Sequence, residues 1–318
     1  MKASKSDLNS ASALCTRAKK GVSKGTPFLD KVGNEDLVHL RLPPKRPGPR
    51  TFGRFFLGSP TKCDSIPNDI MTSLPKPLSL SDLATQSSWI EVKRQIQERM
   101  IYGCLPDVIN EPRHAQKFLL DYVDALLYRD LLRLDEVRKP MNLIHLLTFL
   151  AANVGSVIRY GSIASELGIQ NKTIERYVDL LASRSVVKVV SSWSTGLQTE
   201  LTHSKTIYFC DNGVRNAVLH NFALIPVRDD KEALWKNLFF TERMKFHALH
   251  QDDGEIFFWK TKRNHQIDFV EVVDGSISAF ECRLVNKPTN AISMKAFMRA
   301  YPNIPSSVVM PENVERFL

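Results

Sequence analysis

Between residues 114 and 134 the apolar positions Phe118, Leu119, Tyr122, Val123, Leu126, Leu127, Leu131 and Leu134 recur at steps of three and four. That period places them on one stripe of an α-helix, and a leucine-rich stripe reads as a core-facing one. A helix is also predicted from near Ser88 to Tyr102. The intervening "YGCLPDVINEP" is predicted as a loop, broken by Gly103, Pro106 and Pro112. "NLIHLLTFLAANVG" repeats the helical pattern at Leu143, Leu146, Leu147, Leu150 and Val154, with Gly155 as C-cap. "YGSIASELGI" follows as a short helix ending at Gly168, and "NKTIERYVDLLASRS" as a third helix capped by Asn171. A strand, "VVKVVSSW", comes next. A short helix, a glycine-containing turn, a second helix and a β-ribbon predict a winged helix-turn-helix over 142–190.

The period then changes. "SKTIYFCDNGVRNAVLHN" reads as a strand and a helix, and 231–250 as a long helix. "EIFFWKT", "QIDFVEVV" and "ISAFECRLV" read as three successive strands, "AISMKAFMRAYP" as a helix and "SSVVMP" as a last strand. Strands alternating with helices predict an α/β or α+β domain over 205–318.

Residues 1–50 lack such a pattern. They are rich in Lys, Ser, Gly and Pro and predict a disordered arm. Charge sharpens that division. Residues 1–62 hold 13 Lys/Arg against 4 Asp/Glu, which is the whole net charge of +9; the other 30 basic and 30 acidic residues cancel. Such an arm is either a solvated tail or a nonspecific contact to nucleic acid. No run of 18 apolar residues occurs, which excludes a membrane-spanning helix, and the N-terminus has no apolar segment of a secretion signal. The five cysteines are scattered, with no Cys-x-x-Cys pair. The expectation is therefore free thiols in a soluble, cytoplasmic protein, without a zinc site.

In a winged helix the first turn of the second helix of the turn faces the DNA major groove. Here it would present Gln170, Asn171, Lys172, Thr173 and Arg176. Gln and Asn suit adenine, and Arg suits guanine or phosphate. Arg184 and Lys188 would reach phosphates. Glu166, Glu175 and Asp179 weaken the positive field, and a helix that only packs on neighbouring domains has the same pattern.

Several segments, in order, resemble the C-terminal part of the bacterial and archaeal AAA+ type ATP-binding proteins that carry a domain of unknown function behind the ATPase. They are "FFLGSP", "PLSLSDL", "YGCLPDV", "YVDALLYRDLLRL", "GSVIRYGSIASELGIQNKTIERYVDLL", "KTIYFCDNGVRNAVL" and "IDFVEVV…AFECRLV". The likeness covers about three quarters of the chain. It implies an ATPase remnant over 51–112, a helical and winged-helix domain over 113–204, and a PD-(D/E)XK nuclease-like α/β domain over 205–318. No Gly-x-x-x-x-Gly-Lys-Ser/Thr loop is present, so no ATP-binding residue is assigned and no ATP hydrolysis is expected.

In restriction-endonuclease-type enzymes an Asp and a Glu-x-Lys lie on neighbouring strands and hold Mg²⁺ or Mn²⁺. Asp268 and Glu281 match the metal ligands. Arg283 stands where the lysine would be, and it keeps its proton at any useful pH. Where the family has a further acid on the preceding helix, this chain has Lys236; Glu232 and Glu242 are out of register. Three readings compete: a module binding DNA or a protein partner (an intact homologue among them), a metal-dependent nuclease using Asp268, Glu281 and Arg283, and a truncated fragment with neither activity.

Overall fold

The computed structural model describes residues 89–126, 131, 137, 139–196, 204–285 and 291–318. The expected basic arm and the part of the implied ATPase remnant before residue 89 lie outside the described residues, as does most of 127–138. The described part is a mixed α/β fold with two sheets.

The chain enters through α1 (Trp89–Tyr102), α2 (Pro106–Asn110) and α3 (Ala115–Ala125). The loop expected at "YGCLPDVINEP" contains α2. Pro106 occupies its first turn, where a missing N–H costs nothing, so this proline starts a helix instead of breaking one. Gly103 still does what a turn requires, with φ at +74°.

The next elements are α4 (Pro140–Ala152), β1 (Val157–Ile158), α5 (Tyr160–Leu167), α6 (Asn171–Ser183), β2 (Val187–Ser191) and β3 (Lys205–Phe209). The three strands form one antiparallel sheet in the order β1–β3–β2. Two end-caps differ from the sequence reading. α4 stops at Asn153, and Gly155, at φ +72°, turns the chain into β1 while its N–H donates to the Ile207 carbonyl. Gln170 is the N-cap of α6, so Asn171 already lies inside the helix, where its amide donates to Glu175. Gly168 closes α5 in the left-handed region, as the pattern predicts. The apolar stripe of α6 (Ile174, Tyr177, Val178 and Leu181) is buried.

α7 (Asn212–Val218) leads to α8 (Lys231–His250). Leu234, Trp235, Leu238, Phe239 and Phe240 of α8 are all buried. A helix apolar on more than one face belongs inside a fold, and α8 packs against α1, β3 and β6. Beyond it lie β4 (Glu255–Lys260), β5 (Gln266–Val273), β6 (Ser276–Cys282), α9 (Ala291–Ala300) and β7 (Ser306–Val309). They build a sheet in the order β4–β5–β6–β7, antiparallel except for the parallel β6–β7 pair. The α9 crossover makes that parallel pairing sterically available. Phe269 of β5 meets Tyr208, Phe239 and Phe240 with ring centroids 5.3–6.0 Å apart, tying the second sheet to α8 and β3. A smaller core of Trp259, Ile267, Val270, Met294 and Phe297 packs with α9.

Candidate functional site

Asp268 and Glu281 lie on adjacent strands, β5 and β6. Asp268 is 4% exposed, held in the middle of a strand that is buried over most of its length. Its Oδ2 accepts the Cys282 N–H at 3.0 Å, and its Oδ1 accepts Lys236 Nζ at 2.7 Å. Burial pulls the Lys236 ammonium down, but the charge and hydrogen bond of Asp268 raise it above its ordinary value overall. Lys236 is therefore a cation at all physiological pH. It comes from α8, the element from which the family resemblance implies an acid.

Arg283 folds back onto Glu281: Nε and Nη2 both donate to Oε1, at 3.0 and 2.8 Å. The other oxygen, Oε2, is buried without a hydrogen-bond partner. Burial pushes the Glu281 carboxyl up, against the downward pull of Arg283. Glu232 accepts the Leu284 N–H at 3.1 Å, and Glu242 pairs with Lys245 at 2.7 Å, so neither acid joins the pair. Each carboxylate that a divalent ion would need already carries a protein cation. Among the described residues no group of three or more His, Cys, Asp or Glu could hold a metal ion. This donor set does not fit Mg²⁺ or Mn²⁺, which need several free oxygen ligands.

The residues assigned to nucleic acid fall on a different surface. Gln170, Asn171, Lys172 and Arg176 are exposed around the first turns of α6; Thr173, Arg184 and Lys188 are half-buried. The Arg176 guanidinium lies 5.3 Å from the Tyr177 ring centre. Glu175 and Asp179 are exposed on the same helix, so its outer face carries both signs. Cys104 and Cys282 are buried free thiols, and Cys210 is a half-buried one.

Two of the segments that carry the resemblance, "YGCLPDV" and "KTIYFCDNGVRNAVL", meet at one buried joint. Asp211 caps α7 by accepting the Val214 N–H at 3.0 Å, and it reaches across to accept the Cys104 N–H at 2.6 Å. Gly213 lies so near the α1 terminus that a Cβ there would be 2.1 Å from the Tyr102 carbonyl oxygen. Asn216 donates to the carbonyls of Met100 and Ile101, at 3.0 and 2.7 Å. The fully buried Arg215 donates to the Ala151 carbonyl and pairs with Asp230, which Arg228 also holds. In the sequence this motif has no periodic signal, because its job is to saturate backbone groups at the ends of two distant helices, α1 and α4.

Residues 93–224 match a family described as a domain of unknown function, DUF8612, and residues 231–316 match a second, DUF4143. The chain is 24% identical over 180 residues to an uncharacterized protein of Mycobacterium tuberculosis, covering 55% of this chain and 39% of the relative. It is 21% identical over 221 residues to an uncharacterized protein of Methanocaldococcus jannaschii, covering 67% and 47%. The chain thus spans less than half the length of these curated relatives. No solved structure matches it significantly. No helix among the described residues is long and apolar enough to cross a membrane. What the chain is similar to is therefore two adjoining families of unknown function and, at low identity, uncharacterized proteins of a bacterium and an archaeon.

Proposed function

We propose that the chain is a nucleic-acid-binding module, in which 140–209 acts as a winged helix and the second sheet is a nuclease-like scaffold that does not cut. The observation that carries this is the order helix–strand–helix–helix–strand–strand closed by an antiparallel sheet, with Lys172 and Arg176 exposed at the start of the second helix of the turn. Lys172 and Arg176 have no ion-pair partner among the described residues and stay available to phosphate. The mixed charge of the outer face of α6 favours modest, salt-sensitive affinity over tight sequence-specific binding.

The test is a gel shift with linear duplex DNA at several salt concentrations, run with and without Mn²⁺. Binding that weakens with salt, and weakens further in Lys172→Ala/Arg176→Ala, supports the reading. No shift at low salt would sink it. The nuclease reading makes the opposite prediction in the same gel: cutting that needs Mn²⁺ and disappears in Asp268→Ala. The pairs Lys236–Asp268 and Arg283–Glu281 argue against it. The AAA+ resemblance adds a second partner reading, in which a longer homologue supplies an ATPase half. It rests on the short span against the relatives, and co-purification with such a homologue tests it.

A further inference from the structure

A cleft of about 580 Å³ opens between the end of α4, the β1–α5 junction and the turn joining β4 to β5. It lies apart from both surfaces described above, and its size falls within the range of small-ligand sites. Three of its lining residues are cationic: Arg159, Lys260 and Lys262. None of its lining residues is an acid. None of the three cations has an ion-pair partner among the described residues. Elsewhere in the fold the buried cations Arg215, Arg228 and Arg243 are each paired with a carboxylate.

The electrostatic result is local repulsion. Burial, and then the charge of Arg159, pulls the Lys260 ammonium below its ordinary value. Lys205 adds a further positive charge nearby, 4.8 Å from the ring centre of Tyr160, the residue next to Arg159. Glu175 and Asp179 act on the Tyr160 phenol, and neither lines the cleft.

The backbone adds a helix dipole and a rigid frame. Arg159 is the N-cap of α5, a helix with no side-chain cap and no acid in its first turn. Its dipole therefore favours a negative charge. Across the cleft, Thr261 to His265 form a tight hairpin turn: Asn264 N–H donates to the Thr261 carbonyl at 3.0 Å, and Thr261 N–H to the His265 carbonyl at 2.9 Å. Asn264 takes φ +64°, a conformation that asparagine tolerates better than most residues. The turn holds Lys260 and Lys262 at its base and tip. Ser162 and Ser204 bring hydroxyls to the lining.

We propose that this cleft binds a phosphate group, of the kind carried by a free nucleotide or by a nucleic-acid strand, between Arg159, Lys260 and Lys262. The anion relieves the repulsion between Arg159 and Lys260 and meets cations that have no ion-pair partner among the described residues. The site does not depend on the reading of α6, and its failure is separable from a failure of the duplex gel shift.

The experiment is titration calorimetry of the full chain with inorganic pyrophosphate at low salt. Competing arms use AMP and a 12-nucleotide DNA strand with and without a 5′-phosphate. Wild-type binding is expected to weaken about tenfold in Arg159→Gln/Lys260→Gln and about threefold in Lys262→Gln, whose side chain is exposed and whose loss leaves the fold intact. Lys93→Gln/Lys117→Gln removes two exposed charges elsewhere and is expected to bind as the wild type does. Competition by AMP identifies a nucleotide as the source of the phosphate, and competition by the strands a nucleic acid. Absence of pyrophosphate binding, an unchanged constant in Lys262→Gln, or an equal loss in the control pair would each overturn the proposal.

Discussion

Asp211 and Asp268 are both buried aspartates that accept a backbone amide, yet they do different work. Asp211 takes two amides, from Cys104 and Val214, and burial raises its carboxyl above the ordinary range although both amides pull it down. Asp268 takes one amide and one ammonium, so half of its capacity depends on a single lysine. One aspartate is saturated by backbone that cannot be substituted away. The other is neutralised by a side chain that a single substitution removes. The comparison teaches that a motif at a joint need not be chemistry, and that a carboxylate in a catalytic-looking position can be structural.

The largest effect that breaks this comparison is expected at the joint. Asp211→Ala leaves two buried N–H groups without acceptors and should lower unfolding free energy by about 3–4 kcal/mol, read from denaturant midpoints. Lys236→Ala exposes the weaker arrangement at Asp268. Because the lysine is 26% exposed and water can reach the gap, the loss should be smaller, about 2 kcal/mol. The double substitution Lys236→Met/Asp268→Asn removes both charges and should recover most of that loss, which a two-by-two cycle of melting curves measures. A full loss in the double variant would mean that packing around β5, and not charge, sets the effect.

A third buried group sharpens the comparison through pH. Arg243 pairs with Glu271 through two bonds of 2.8 and 2.6 Å, and His247 lies 3.4 Å from the same carboxylate and 2.6 Å from Asp252. Burial lowers His247, but Glu271 foremost raises it above 6.5 overall. A raised histidine contributes stability that is fully present below pH 6.5 and is lost as pH rises through the folded value. The melting temperature should therefore fall on going from below pH 6.5 to above the folded value, and His247→Gln should flatten that fall. The smallest effect on stability is expected at α6: Lys172→Ala should change it by less than about 0.5 kcal/mol while lowering the salt slope of any DNA binding by about one.

Helices and strands were legible where one period ran unbroken. The strands "EIFFWK", "QIDFVEVV" and "SISAFEC" and the helix Lys231–His250 stand where alternation and apolar density put them. The misplaced caps at Gly155 and Asn171, and the helix hidden in "YGCLPDVINEP", arise where glycine and proline punctuate and a shift of one or two residues changes the assignment. The adjacency of Asp268 and Glu281 was readable from the hairpin. The ion pairs on them were not, because Lys236 lies 32 residues before Asp268 and only the fold joins them. The cleft was missed for the same reason: Arg159 and Lys260 are distant in sequence, and the basic run "KTKRNH" in a turn looks like ordinary surface.

Finally, the central helix α8 is anchored from the far end of the chain. Trp235 Nε1 donates to the Val309 carbonyl at 3.3 Å, and Arg243 donates to the Phe317 carbonyl. Both anchors lie 74 residues downstream of their donors. On the ribosome, α8 would emerge and wait, its indole N–H and the Nη1 of Arg243 unmatched, until β7 and the turn after it are synthesised. A chain halted before residue 306 would carry a core helix covered by α1, β3 and β6 but lacking β7 and the last turn, and would present the uncovered apolar surface to chaperones and proteases.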